Sequence, residues 1–459
     1  MSEFDHRLTD AQMAQFITHG YVTITPDLPR QLHDEIYARH EEVFEKEGNP
    51  GNNLLPRIPL VRQIFDASEV VGALRSVVGD DYYLQPHRHP HHNKAHSAGQ
   101  QMHQDGGKRW SHRTRYLLAF YYPQDTPLER GPSGIVPGSH LFNTPEGARS
   151  DRETPLVTPA GTVTIVDYDL WHRAMPNTTD EHRFMVKFLF ARMSEPSEPS
   201  WQNRQLEWPG SAPAMADDGA ELKQLHRCRW DWHRGAASGP PAPEDGLQVL
   251  LARLKSDNER VGVAAAYDLA GLGEEAVGAL IEQLAAESEM TQRNAAYGLS
   301  AMGAPAVDAL SETLMHESPE ARGLAASVLG DIAGPAAGAA SSLIAATRDP
   351  EAGVRRHAAE ALGTIANDTP DPVPSLIDAM SDDDASVRTA AVFALCRLGP
   401  LASEAVDRLE GVLDDDNRYV RADALFALER IGTPLAKDRL IRHLTSARWC
   451  PITTSESTF

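Results

Sequence analysis

Cysteine is scarce in this chain: three in 459 residues, at Cys228, Cys396 and Cys450. Three scattered thiols exclude a disulfide framework and a thiolate metal cluster, and they fit a reducing compartment, so a cytoplasmic location is expected. Long hydrophobic runs are missing too. No stretch of eighteen apolar residues occurs, which argues against a membrane span. The first residues, Met1 to His6, lack the basic stretch and apolar core of a secretory signal. Positive charge is in short supply: 43 Lys and Arg stand against 65 Asp and Glu, a net charge of −22. A general nucleic-acid binder needs a basic footprint, so that class is set aside.

The acidity is uneven. From Asp245 onward there are 33 acidic and 18 basic residues, a balance of −15, leaving −7 for everything before it. A chain of this length exceeds one hydrophobic core and should form two or three domains. The Ala/Ser/Gly/Pro stretch 236–243 is the expected linker, dividing a first domain at 1–235 from a second at 244–446, with a tail at 447–459.

The second domain repeats itself. Leu269–Gly273, Leu299–Gly303, Leu329–Ala333, Leu362–Ala366, Leu395–Gly399 and Leu428–Gly432 share one pattern and recur at intervals of 30, 30, 33, 33 and 33. Acidic turns precede Val354-Arg355, Val387-Arg388 and Val420-Arg421. This is the pattern of an all-α solenoid in which each unit buries its apolar face against the next, and it resembles short HEAT-like repeats. The runs Asp382–Asp384 and Asp414–Asp416 lack the glycine and terminal glutamate of a calcium loop, and are expected to cap the repeat helices.

The first domain opens with helical signals. A capped helix is expected from Leu8 to Gly20, with Met13, Phe16 and Ile17 on its apolar face; a short strand follows at Gly20–Ile24. Further helices are expected at Leu32–Lys46 and Val70–Val78, with a loop at Gly48–Pro56 between them. From Tyr82 to Met193 strands take over, best seen at Tyr116–Tyr122, Gly161–Asp167 and Arg183–Phe190. Gly/Pro turns separate them, as expected of a double-sheet jelly roll. The tryptophans at 201, 208, 230 and 232 are expected to pack on that roll.

Within the strand region stand His103 and Asp105, then His172, then Arg183. Two imidazoles and a carboxylate are the donor set of the facial triad that holds non-haem iron with open positions. In extended chain, residues two apart point the same way, so His103 and Asp105 can reach one ion. Arg183, eleven residues after His172, could grip a carboxylate in fork geometry. The alternation of His87, His89, His91, His92 and His96 does not match a closed tetrahedral site and reads as loop or pocket lining. His140 is expected to shape its turn, and Trp110 to line the pocket or join the core.

With His103-Gln-Asp105, Gly131–His140, Asp169–His172 and Arg183 in order, residues 8–235 resemble the phytanoyl-CoA dioxygenase family of Fe(II)- and 2-oxoglutarate-dependent oxygenases. The resemblance implies a double-stranded β-helix fold. It also implies that His103, Asp105 and His172 hold iron and that Arg183 pairs with the distal carboxylate of 2-oxoglutarate. Gln85, Asn93 and Lys94 are further candidates for the co-substrate. Where some relatives carry a serine two residues after the distal histidine, this chain has Ala174. Family halogenases vacate the carboxylate position, so Asp105 favours hydroxylation. The expected reaction consumes O2 and 2-oxoglutarate, hydroxylates a C–H bond of a small molecule, natural-product or acyl in kind, and yields succinate and CO2. The repeats would recruit a protein partner, or else stabilise the oxygenase or mediate self-association. Two alternatives are a protein hydroxylase whose repeats bind its substrate, and a non-catalytic scaffold.

Overall fold

The computed structural model describes residues 6–107, 110–210, 222–236, 239–365 and 369–446. The expected tail at 447–459 and positions 237–238 of the expected linker lie outside these residues. The described residues up to Ala236 form one compact unit and those from Gly239 onward another.

The first unit is built on two antiparallel sheets. Its strands are β1 (Tyr21–Ile24), β2 (Tyr82–Asn93), β3 (Tyr116–Tyr121), β4 (Ser133–Ile135), β5 (Thr154–Pro155), β6 (Val163–Asp167), β7 (His172–Ala174) and β8 (Arg183–Arg192). The larger sheet has the order β1-β6-β3-β8-β2 and the smaller β5-β4-β7. Strands β3, β6 and β8 are apolar on both faces because both faces are covered. On one side Tyr121, Val186, Phe188 and Phe190 meet the helices Asp10–His19, Arg30–Lys46 and Ser68–Val78, along with Trp201 and Trp230. On the other side Leu118, Phe120, Val166, Met185 and Leu189 meet Ile135 and Leu156 of the smaller sheet. The jelly-roll reading therefore holds, and the tryptophans pack as expected.

Local signals explain the helix ends. Thr9 and Gln12 form a reciprocal capping box, and Gly20 closes the first helix in left-handed conformation. Two segments differ from expectation. Gly51–Asn53 and Leu54–Arg57 form short helical turns where a loop was read. The histidine-rich stretch is not a loop but most of β2, a 12-residue strand. Pro86 and Pro90 disguise it. They are tolerated because β2 is the sheet's edge, where a missing N–H costs no ladder bond. The loop ahead of it covers that edge: Asn52 accepts from the Arg88 N–H, and Asn49 donates to the Pro90 carbonyl.

In the second unit, long helices at Glu259–Ala270, Glu289–Met302, Pro319–Ile332, Ala352–Ile365, Ala385–Leu398 and Arg418–Ile431 pack in succession, with shorter helices between them. Small residues set the spacing. A Cβ on Gly363 would stand 2.8 Å from the Ala394 backbone. Only part of the acidic-turn expectation holds. Asp384 does cap its helix, accepting from the Ser386 N–H. Asp382 and Asp415, by contrast, each receive a two-pronged guanidinium, from Arg355 and Arg388, and Arg322 grips Asp349 in the same way. Each of these arginines also donates to two carbonyls of its own preceding turn. The segment 385–411 is apolar enough in composition to pass for a membrane span, but it bends at Ala402 and most of its apolar stretch is buried.

Candidate active site

The two histidines meet through the backbone. His103 lies outside any regular strand, yet it exchanges both N–H···O bonds with His172 at the start of β7, at 3.0 and 2.9 Å. Such a pair sets side chains next to each other, and the imidazole centroids stand 4.7 Å apart. Gln104, between the ligand candidates, turns the opposite way and donates to the carbonyls of Phe142 and Asp169. That anchors the segment and leaves Asp105 on the same side as His103. The donor atoms of His103, Asp105 and His172 all lie within 4.8 Å of one another.

Both imidazoles are oriented alike. Nδ1 of His103 faces the Gln101 carbonyl and Nδ1 of His172 the Leu170 carbonyl, each at 2.8 Å. A carbonyl only accepts, so Nδ1 carries the proton and the Nε2 lone pair is left for an ion. Burial lowers the His172 pKa to about 4, although Asp105 opposes the shift, so its ring is neutral at pH 7. Burial also disfavours the Asp105 charge, but His172 and Lys187 outweigh it and hold the carboxyl below its usual range. A neutral imidazole and an ionised carboxylate are the forms that bind metal.

Beside the triad opens a cleft of about 240 Å³, lined in part by His91, Asn93, Ser133, His172, Ala174 and Arg183. Arg183, at the start of β8, is 1% exposed. Its Nε donates to the Gly131 carbonyl at 2.9 Å, while Nη2 is buried with no hydrogen-bond partner among the described residues. Burial draws its pKa down to about 10. Gly131 has φ +65, and a Cβ there would strike the Asn93 amide and the Met175 carbonyl, so the turn that receives Arg183 requires glycine. A buried guanidinium with a donor left over can accept an anion. The residues present thus fit both a divalent metal and a carboxylate co-substrate.

Of the remaining candidates, Asn93 lines the cleft and braces it by donating to the carbonyls of Gly131 and Met175. The structure does not bring Gln85 or Lys94 into the cleft. Lys94 is exposed, and Gln85 sits at the far end of β2, where register with β8 breaks between Leu84 and Arg88. His140 is fully buried and seats its turn against the Ile17 carbonyl. His91 and His92 line the cleft; His91 Nε2 is buried without a partner.

Three residues escaped the sequence reading. Ser133 pairs in register with Ala174 and lines the cleft, so a hydroxyl stands across the ladder from the missing serine. Tyr122 lies fully buried beside Arg183, its phenol pKa raised by burial. Lys187, 2% exposed, bonds Asp105 Oδ2 at 2.7 Å. A signal for Lys187 was there: one ammonium in the apolar strand Arg183–Phe190, on the same alternation as Arg183.

Residues 29–185 match the model of the phytanoyl-CoA dioxygenase (PhyH) family. The first unit carries a PhyH domain. HEAT repeats match at 307–396 and 373–452 of the second. The PhyH match runs from just ahead of the helix Arg30–Lys46 to the first residues of β8 and includes His103, Asp105, His172 and Arg183. Among solved structures, the chain is similar to the non-heme α-ketoglutarate-dependent carbocyclase SnoK from nogalamycin biosynthesis, at 20% identity and TM-score 0.35, covering 42% of this chain and 87% of that one. It is also similar to the non-heme monooxygenase ThoJ in its nickel complex, at 15% identity and TM-score 0.34, covering 48% and 98%. HygX from Streptomyces hygroscopicus with iron bound matches at 15% identity and TM-score 0.33, covering 45% and 95%. No curated protein matches the chain.

Proposed function

We propose that the PhyH domain is an Fe(II)- and 2-oxoglutarate-dependent oxygenase that hydroxylates a C–H bond of a small molecule, with succinate and CO2 as co-products. One observation carries the reading: a His-Asp-His donor set lies within 4.8 Å, and its member His172 lines the same cleft as Arg183, whose buried Nη2 has no hydrogen-bond partner among the described residues. His103, Asp105 and His172 would hold the metal, and Arg183 the distal carboxylate of the co-substrate. Iron bound there supplies oxygen activation coupled to oxidation of the keto-acid.

The chain's own residues do the rest. The carbonyls of Gln101 and Leu170 fix the imidazole tautomers, so both Nε2 atoms converge without reorganisation. Arg183 is aimed by the Gly131 carbonyl, so a fork-shaped pair forms at small entropic cost. Ser133 offers the second hydroxyl contact that Ala174 cannot. Phe120, packed 5.3 Å from the His172 ring, keeps water from that side of the triad.

The HEAT repeats support a second element of the proposal, recruitment of a protein partner, since solenoids present extended surfaces. The test is succinate release from 2-oxoglutarate with Fe(II), against a panel of small metabolites and cell-extract proteins. Release stimulated by one small molecule, and abolished in His103→Ala and His172→Ala, supports the reading. Full release in either variant contradicts it. Stimulation by a protein fraction alone favours the protein-hydroxylase alternative.

A further inference from the structure

Lys187 has the most unusual position of any cation in the PhyH domain. It projects from β8 on the same side as Arg183, four residues on, which at about 3.4 Å per residue puts their Cα atoms about 14 Å apart. Its neighbours across the sheet are Phe120 on β3 and His89 on β2. Its side chain is 3% exposed, so the ammonium has no route to solvent. The oxygen it bonds, Asp105 Oδ2, is the one that stands 3.6 Å from His172 Nε2. The ammonium therefore sits on the carboxylate oxygen that faces the metal-binding atom of His172. A carboxylate has four lone-pair positions over its two oxygens, enough to accept this bond and a metal together.

We propose that Lys187 is a resident counter-cation of the metal site, a residue that acts through its charge on Asp105 and stays beside the metal once it is bound. This rests on the metal and 2-oxoglutarate reading given above. Two effects follow from its charge. A fixed ammonium a few ångströms from a dication repels it in a medium where charges are poorly screened, so the site binds metal less tightly than its three ligands alone would. The same charge attracts the dianionic co-substrate. Lys187 thus sets the two affinities against each other, weakening metal binding and strengthening co-substrate binding. A lysine that merely satisfied a buried carboxylate would have the opposite effect on metal, because its loss would leave the ligand badly placed.

The experiment uses full-length protein and two probes: Mn(II) alone, then 2-oxoglutarate added to Mn(II)-loaded protein. Lys187→Met removes charge and donor, Lys187→Gln keeps a donor without the charge, and Lys187→Arg keeps the charge. Mn(II) binding should tighten at least about tenfold in the Met and Gln variants, and 2-oxoglutarate binding should weaken at least about fivefold, with Arg close to wild type. If Lys187→Met fails to fold, Lys187→Gln decides alone. Unchanged or weaker Mn(II) binding in Lys187→Gln, or unchanged 2-oxoglutarate binding, overturns the proposal while the metal reading stands. If wild-type protein shows no Mn(II) binding that His172→Ala removes, the metal reading itself falls, and this proposal with it.

Discussion

The PhyH unit and the repeat unit bury charge in different ways. In the first, each buried cation has its own arrangement: Arg229 with Asp167 at 2.9 Å and both almost inaccessible, Lys187 with Asp105, and Arg183 with a single carbonyl. In the second, one arrangement occurs three times, always 27 residues apart: Arg322 on Asp349, Arg355 on Asp382, Arg388 on Asp415. These pairs are 10–19% exposed and bridge one repeat to the next. A solenoid gains stability from many equivalent local interfaces, whereas an active site concentrates unlike groups where none can stand in for another.

The largest effect that separates the two modes is the loss of a single partner. Arg229→Met removes the buried guanidinium that binds Asp167 and Thr114, and should cost about 3–5 kcal/mol of unfolding free energy in urea titrations. A cost no larger than that of a repeat arginine would dissolve the distinction. Next comes Arg183. Arg183→Ala should lower 2-oxoglutarate affinity by about 2–4 kcal/mol, read by calorimetry on Mn(II)-loaded protein, and Arg183→Lys should recover little of it. Co-substrate affinity equal to wild type would remove Arg183 from the site.

Acid should divide the units as well. Burial holds His40 and His172 at about 4, below the ordinary histidine value of about 6.5. A depressed folded-state pKa gives stability that is complete above the unfolded value and is lost as pH falls toward the folded one. In metal-free protein each ring should therefore cost about 2 kcal/mol by pH 5. The repeat carboxylates Asp349, Asp382 and Asp415 are held below their usual range by their arginines, so their contribution persists until the pH falls below about 4. Acid titration followed by near-ultraviolet and far-ultraviolet dichroism should show the tryptophan-rich PhyH unit failing first. Loss of helical signal before tryptophan signal would refute this order. The smallest effect tests the repeats' equivalence: Arg322→Ala, Arg355→Ala and Arg388→Ala should each cost about 1–2 kcal/mol, alike to within about 0.5 kcal/mol. A spread of several kcal/mol would show that the three interfaces are not interchangeable.

The same contrast explains what could be read from sequence. Repetition is self-evident at a fixed period, so the solenoid was legible from Leu269–Gly273 onward. The bridging role of Asp382 and Asp415 was not, because a carboxylate before a helix looks like a cap until its partner 27 residues earlier is known. In the PhyH unit, His103, Asp105, His172 and Arg183 stood out through residue type and order. What stayed hidden depends on pairing across strands. Ser133 opposite Ala174 is a matter of register, and β2 was masked by prolines that only an edge strand accepts. Lys187 was visible as an anomaly in an apolar strand, but its partner lies 82 residues away.

His103, Asp105 and His172 are proposed to form one metal site beside the cleft that His172 and Arg183 line, with Arg183 holding the co-substrate. The most direct test of this arrangement is visible absorption on anaerobic addition of Fe(II) and 2-oxoglutarate to the full-length protein. The account predicts a weak metal-to-ligand band that requires both additions, vanishes in His172→Ala, and in Arg183→Ala appears only at much higher 2-oxoglutarate. A band of full strength in His172→Ala, or none in the wild type, would contradict it.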